Sequence, residues 1–230
     1  CAFFYIRGAI VNSSELETWA ADKAARNAQP FDWITPVLLY RNGKVAMSGA
    51  YVVMDGNREV VFTAAHGFSI DYPSCTWSFR KLIPTAQPRR PIALAKPMRD
   101  ADDDIAVCTP ASVLQRSSNP LPNFYQGFRR GMSPTFEVGR ELTGTARSVL
   151  TGEDVQLLGE ALIDGKLQVA LDAEADEGQS GSVFVDEENS RMYVLRARSP
   201  WLTRELKERM ADGPKAIKHG VTFAVRLAYA

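Results

Sequence analysis

Short apolar segments separated by turn residues make up the sequence from about residue 30 to residue 200, without sustained helical periodicity. Asn42-Gly43 and Asp55-Gly56 stand between such segments, and these dipeptides are typical of tight hairpin turns. The pattern predicts strands over 34–40, 45–53, 60–64, 77–82, 92–94 and 104–108, then 126–128, 136–138, 142–149, 155–159, 167–171, 182–185, 192–197 and 221–227. We therefore expect an all-β fold.

Composition limits the size and the partners of this fold. The 230 residues are 45% hydrophobic, which is enough to bury the core of one large β domain or two small ones. The 27 basic and 27 acidic residues cancel, so no bulk attraction to nucleic acid or a membrane surface is expected. Basic pairs such as Arg89-Arg90 and Arg129-Arg130 lack interleaved aromatics, and no apolar run reaches the length of a membrane-spanning helix.

Helical patterns are confined to two places. Ser13 or Ser14, followed by Glu15 and Glu17 and an alanine-rich run to Asn27, predicts a capped helix in an N-terminal extension over 1–32. Residues 201–212 have apolar positions at helical spacing and opposite charges on neighbouring turns. They predict a short helix before the last strand.

A glycine-framed serine is the first candidate for chemistry. Ser180 has Gly178 two places before it and Gly181 directly after it, so the backbone there can bend sharply and come close to a substrate. An ordinary hairpin turn would have the same composition. His66 follows the apolar strand 60–64, and Asp104 begins the strand 104–108. An imidazole can take the serine proton, and a carboxylate behind it fixes the tautomer, so the three residues predict nucleophilic catalysis.

Each of these residues has competitors. Asp100, Asp102 and Asp103 lie beside Asp104, and the acidic run also fits a solvated loop or a calcium loop. Asp104 is preferred because it alone abuts an apolar strand that would bury it. Ser182 lacks the preceding glycine and fits hairpin packing better.

An α/β-hydrolase order is also present in Ser180, Asp212 and His219. That motif requires a helix after the serine, whereas an apolar strand follows here.

Thr63-Ala64-Ala65-His66, Asp104-Ile105-Ala106 and Gly178-Gln179-Ser180-Gly181 together resemble the three signatures of the chymotrypsin-like (trypsin-fold) serine peptidases, in that family's order. The resemblance covers about residues 33–230. It implies two antiparallel six-stranded barrels, over about 33–115 and 123–230, with a linker near 117–122 and the active site in the cleft between them. It also implies a serine endopeptidase that cleaves a protein or peptide substrate through an acyl-enzyme.

Roles within the site follow from the same resemblance. Ser180 would be the nucleophile, His66 the general base and then acid, and Asp104 the group that orients His66. The backbone N–H groups of Gly178 and Ser180 would form the oxyanion hole.

The family alignment also places the substrate pocket. Its floor falls near Glu174, with Arg196 and Arg198 on the strand that lines the pocket. The resemblance thus allows a preference for a basic residue or for an acidic one.

Gln179 occupies the position of an aspartate that pairs with a new N-terminus in members activated by trimming. We expect activity not to depend on that ion pair.

Cysteines and histidines are few. Cys1, Cys75 and Cys108 cannot all pair within one chain, and Gly67 stands where disulfide-stapled members have a cysteine, so the chain is more similar to bacterial or viral members. We expect no metal and no cofactor. We expect a bacterial protein that is secreted or periplasmic, ahead of a viral or cytosolic one. Cys1 fits either a lipid attachment point or a trimmed start. The other function left open is a catalytically inactive trypsin-fold binding or scaffold module.

Overall fold

The structure is a computed structural model of the 230-residue chain. It describes residues 17–18, 20–22, 31–54, 57–68, 75–83, 90–95, 98–100, 104–111, 136–141, 144–163, 166–173, 179–198 and 217–228. Fourteen strands lie in these ranges, and they form two seven-stranded sheets.

The first sheet is antiparallel and has the strand order β5-β4-β1-β2-β3-β7-β6. Residues Asn42 and Gly43, with φ angles of 51° and 79°, form the turn between its first two strands, which explains the Asn-Gly signal. The sheet contains β1 (Ile34–Arg41), β2 (Lys44–Met54), β3 (Arg58–Ala64), β4 (Trp77–Lys81), β5 (Ile92–Ala93), β6 (Met98–Asp100) and β7 (Ile105–Cys108).

This first sheet curls into a half-barrel. Its far sides approach each other where Leu94 forms an isolated bridge with Pro110. Two backbone hydrogen bonds flank the bridge, from Ala95 N–H to the Thr109 oxygen (3.0 Å) and from Ala111 N–H to the Ala93 oxygen (2.9 Å). The interior is filled by the inward side chains of alternating strand positions, among them Val37, Leu39, Val61, Phe79 and Ala106.

The second sheet closes into a six-stranded barrel. Its strand order is β11-β14-β13-β12-β9-β10, and the pairing of β10 with β11 completes the ring, while β8 pairs with β10 outside it. The core contains Leu157, Val169, Leu171, Phe184 and Tyr193. The strands are β8 (Phe136–Glu141), β9 (Thr145–Ser148), β10 (Asp154–Ile163), β11 (Lys166–Asp172), β12 (Val183–Asp186), β13 (Arg191–Arg198) and β14 (Val221–Ala228).

The two sheets share an apolar core. Ile34, Ala50 and Val60 of the first sheet pack in one buried cluster with Val183 and Val194 of the second. Burial of apolar side chains between the sheets stabilises their docking, at roughly 25 cal/mol for each Å² removed from water.

The described part of the N-terminal extension lies on the outside of the first sheet. Residues 17–18 and 20–22 are helical, and Ala20 packs in a buried cluster with Leu38, Tyr40, Leu82 and Leu150. Glu17 receives a hydrogen bond from the Tyr40 hydroxyl (2.7 Å) and forms an ion pair with Arg80. Burial, followed by the hydrogen bond and negative charge of Glu17, raises the Tyr40 pKa.

The predicted all-β class with two antiparallel sheets is confirmed, and it is consistent with the two-barrel trypsin-like fold. One difference is that the first sheet is a seven-stranded half-barrel and not a closed six-stranded barrel. The added strand is β6, whose Met98-Arg99-Asp100 has no apolar run. The expected linker at 117–122, the strand at 126–128 and the helix at 201–212 lie outside the described residues.

Candidate active site

The pairing of β3 with β7 brings the candidate histidine beside the candidate aspartate. Ala64 lies opposite Ile105 in the ladder, and the Ala65 N–H donates to the Asp104 carbonyl oxygen at 2.8 Å, which extends the pairing by one residue. The chain then turns through a 3-10 helix over Ala65–Gly67, which carries His66 away from the strand. The apolar strands on either side thus place two polar residues at one end of the sheet.

Asp104 holds both the backbone and the ring of His66. One carboxylate oxygen, Oδ1, accepts the His66 backbone N–H at 2.8 Å, and the other, Oδ2, lies 2.9 Å from His66 Nδ1. Asp104 is 2% exposed, while the His66 side chain is 28% exposed. Because an ionised carboxylate only accepts, the matching tautomer has its proton on Nδ1 and leaves Nε2 as a base.

Ser180 lies in a tight turn that leads into β12. The Ser182 N–H donates to the Gln179 oxygen at 2.9 Å, and Gly181, with φ of +87°, donates its N–H to the Leu195 oxygen at 2.7 Å. These bonds tie the turn to β13 of the same barrel. A positive φ is a conformation in which glycine is unstrained, so the glycine after the serine permits this turn.

The same turn is bonded to the other sheet. The Ser48 N–H in β2 donates to the Ser180 carbonyl oxygen at 3.0 Å. A Cβ at Gly181 would lie 2.1 Å from Thr63 Oγ1 and 2.3 Å from the Ser48 oxygen, so only glycine allows this approach. Thr63 and Ala64 come just before Ala65 and His66, so the Ser180 turn is docked on the strand that delivers the histidine.

The structure therefore brings His66 and Asp104 into contact and places the Ser180 turn against the adjoining strand. Within the described ranges, no hydrogen bond joins Ser180 Oγ to His66. The Ser180 N–H likewise has no acceptor among the described residues. Ser182 is buried, and its hydroxyl has no partner in the described part of the chain.

Of the other residues predicted from the sequence, two lie outside the described ranges and two lie in β13. Gly178 of the expected oxyanion hole and Glu174 of the expected pocket lie outside the described residues. Arg196 and Arg198 lie in β13, where the register shifts between Leu195 and Ala197. Arg196 occupies this bulge.

Of the competing aspartates, Asp100 is the one that lies within the described residues. Asp100 lies in β6 opposite Ile105, and Asp102, Asp103 and Asp212 lie outside the described residues. All the ladders between the described strands are antiparallel, which contradicts the parallel sheet that an α/β-hydrolase needs.

Three buried residues with structural hydrogen bonds were not predicted from the sequence. Thr63 is fully buried and donates its hydroxyl to the Ser48 carbonyl oxygen at 2.6 Å, beneath Gly181. Ser48 supplies the bond to Ser180. Asp172 is buried at the end of β11 and accepts three backbone N–H groups from residues 218–220. The only sequence signal was a polar residue within or next to an apolar run, which does not identify its partner.

The described residues show neither a metal-binding cluster nor a membrane-spanning helix. They contain no group of three or more His, Cys, Asp or Glu side chains arranged to hold a metal ion. They also contain no helix with the length and apolar character needed to cross a membrane.

Comparison with known proteins gives matches among solved structures. No protein-family model matches the chain, and no curated protein matches its sequence. The chain is similar to the Rv3671c protease from M. tuberculosis. The match to the active form has a TM-score of 0.42 at 11% identity and covers 89% of this chain and 80% of that one. The inactive form gives 0.44 at 11% identity, with 90% and 89% covered. Deg5 gives 0.37 at 13% identity, with 79% and 86% covered.

Proposed function

We propose that the protein is a serine endopeptidase with His66, Asp104 and Ser180 as its catalytic residues. The observation that carries the proposal is the double hydrogen bond between Asp104 and His66, at 2.8 and 2.9 Å. It holds a partly exposed imidazole against a buried carboxylate, which is the arrangement that a general base acting on a hydroxyl requires. The docking of the Ser180 turn beside Thr63 and Ala64 supports Ser180 as the nucleophile.

In this mechanism Ser180 Oγ attacks the carbonyl carbon of a peptide bond while His66 Nε2 removes its proton. The imidazolium that forms is stabilised by Asp104, and His66 returns the proton to the leaving amine. Water then attacks the acyl carbon while His66 Nε2 removes its proton, and His66 returns that proton to Ser180 Oγ as the acyl–oxygen bond breaks and the acid product leaves. The backbone N–H groups of Gly178 and Ser180 are proposed to bind the oxyanion, where each donor is worth about 3 kcal/mol.

Labelling with a fluorophosphonate probe tests this proposal. We expect the wild-type protein to be labelled at Ser180 and to hydrolyse a casein substrate, and Ser180→Ala to lose both. Ser182→Ala is the matched control, because it removes a hydroxyl two residues away that is buried and has no partner among the described residues. Removing an unpaired buried hydroxyl is close to neutral for stability, so this variant should keep its labelling.

The second candidate function is a binding or scaffold module without catalysis. It is favoured by one observation: no hydrogen bond joins Ser180 Oγ to His66 in the described ranges. Against it, catalytic hydrogen bonds often tighten only when substrate is bound. Wild-type protein that resists the probe, with labelling no greater than that of Ser180→Ala, would overturn the peptidase proposal in favour of the module.

A further inference from the structure

An open cleft of about 360 Å³ lies at one end of the second barrel. Its polar lining comes from the starts of β9 and β10, the end of β11 and the residues just before β14, namely Thr145, Asp154, Gln156, Asp172, Lys218 and His219. The volume is in the range of sites that bind small groups or single side chains.

The antiparallel register places this cleft at the barrel end that carries Ser180. Asp172, at the end of β11, lies opposite Val221 at the start of β14, and the start of β14 lies opposite the end of β13. The end of β13 in turn lies beside the start of β12, where Val183 pairs with Val194. The cleft and the Ser180 turn therefore open from the same end of one barrel.

The acidic groups in the cleft already have partners. Asp172 is 2% exposed, and its Oδ2 accepts the Lys218 N–H at 2.9 Å. Its Oδ1 accepts the N–H groups of His219 at 2.9 Å and Gly220 at 3.1 Å. These three bonds satisfy the carboxylate and fix the backbone of the loop, so its side chains are presented from a rigid base.

Asp154 is neutralised by a cation. Arg147 Nε and Nη2 donate to its two carboxylate oxygens at 2.8 and 3.2 Å. The hydrogen bond from Arg147 lowers the pKa of Asp154, so this carboxylate stays charged and paired.

The basic side chains of the cleft have no ion-pair partner among the described residues. Lys218 and His219 are both exposed, and among the described residues no carboxylate forms an ion pair with either side chain. Thr145 and Gln156 add a hydroxyl and an amide N–H₂ to the same lining. The cleft thus offers an ammonium and an imidazole that have no ion-pair partner among the described residues, together with neutral donors, and such groups bind a carboxylate.

We propose that this cleft binds a carboxylate of the peptide substrate, with Lys218 and His219 as the recognition residues and Asp172 as the positioning residue behind them. The inference rests on the proposed peptidase function and adds a substrate class to it, namely peptides with an acidic side chain or a free C-terminus. It uses different residues from Glu174, Arg196 and Arg198, which the sequence suggested for the pocket.

Binding to the Ser180→Ala protein tests the cleft without requiring turnover. The probes are N-acetylated hexapeptide amides of alanine that carry Glu or the isosteric Gln at each position in turn, measured by titration calorimetry. A third probe is the all-alanine peptide with a free C-terminal carboxylate. We expect the Glu peptide at one position, or the free-carboxylate peptide, to bind about tenfold more tightly than its uncharged counterpart.

The Lys218→Gln, His219→Gln double variant should reduce that preference to less than about threefold, because uncharged amides replace the Lys218 ammonium and the His219 imidazole. Lys44→Gln is the matched control, since Lys44 is an exposed lysine at the start of β2 in the other sheet, and it should keep the preference. Preference for the Glu peptide identifies a side-chain carboxylate, and preference for the free-carboxylate peptide alone identifies the chain end. Equal binding of charged and uncharged peptides, or a preference that the double variant retains, overturns the inference.

Fluorophosphonate labelling of the wild-type protein separates this result from the proposed function. Labelling without a carboxylate preference overturns the cleft and leaves the peptidase proposal standing. A carboxylate preference without labelling supports the cleft and removes the peptidase proposal.

Discussion

Gly181 connects the backbone conformation at the candidate nucleophile to the packing of the two sheets. Its φ of +87° is one requirement, and the 2.3 Å that would separate a Cβ from the Ser48 oxygen is another. A side chain at 181 therefore meets both torsional strain and a backbone atom that cannot rotate away.

Gly181→Ala should destabilise the protein more than Gly43→Ala does. Gly43 has a similar φ of +79°, but a Cβ there meets nothing within 4 Å. We expect about 1–2 kcal/mol from strain in the control and a further 1–3 kcal/mol, roughly, from the contacts at Gly181. Urea denaturation measures the free energy of unfolding of both variants. We expect Gly181→Ala to lose fluorophosphonate labelling and Gly43→Ala to keep it. Equal costs at the two glycines would show that the approach to Ser48 is not tight.

At the residue scale, the motifs predicted part of the candidate site. His66 and Asp104 were chosen because each lies at one end of an apolar strand, and the β3–β7 ladder pairs those ends. The roles of Ser48 and Thr63 depend on which part of another strand reaches the Ser180 turn. That contact is set by how the two sheets dock. The spacing of residues in a single sequence does not predict it.

At the scale of elements, the loop before β14 depends on a single buried carboxylate. Asp172 accepts three backbone N–H groups within residues 218–220, which have no strand partners of their own. The acceptor in β11 takes the place of a ladder and sets where β14 begins.

Asp172→Asn should destabilise the protein by about 1–3 kcal/mol, because an amide N–H₂ would face a backbone donor and leave it unpaired. Asp154→Asn is the control, since the Asp154 side chain is 52% exposed and its pair with Arg147 lies at the surface. We expect less than about 1 kcal/mol there. Thermal unfolding followed by circular dichroism compares the two variants, and an Asp172→Asn effect as small as the control would contradict the clamp.

Most strands were predictable at this scale because their residues alternate or form apolar runs between turn signals. β1, β2 and β3 match the predicted segments to within one or two residues. β6 was missed because Met98-Arg99-Asp100 is short and charged, and it exists through its pairing with β7.

At the scale of the whole molecule, apolar clusters join the sheets into one cooperative unit. Leu150 follows β9 of the second sheet, yet it packs with Leu38, Tyr40 and Leu82 of the first sheet and Ala20 of the extension. A second shared cluster contains Ile34 and Val183. Each sheet has a core of its own, but part of its apolar surface is buried only against the other sheet, so we expect the two to unfold together.

Leu150→Ala should cost about 2–5 kcal/mol, because it leaves a cavity where the sheets meet. Leu167→Ala, at a site that is 49% exposed, should cost less than about 1 kcal/mol. Tryptophan fluorescence and far-ultraviolet circular dichroism should give coincident urea transitions in both variants and in the wild type. Separate transitions for the two signals would show that the sheets unfold independently.

The closure of each sheet could not be predicted from the sequence. Both halves have short strands of similar length, yet only the second ring is completed by a ladder, between β10 and β11. In the first sheet, Leu94 and Pro110 meet in a single bridge. Two flanking backbone hydrogen bonds, from the Ala95 and Ala111 N–H groups, hold this bridge.

The hydrogen bond from Ser48 to the Ser180 carbonyl runs from one sheet to the other. A shift of about 1 Å in a reacting group can slow a reaction by roughly a hundredfold while the surrounding fold survives. Under the proposed peptidase function, turnover is therefore more sensitive to the alignment of the two sheets than a spectroscopic signal is. On heating, we expect peptidase activity to be lost at a lower temperature than the one at which the fold unfolds.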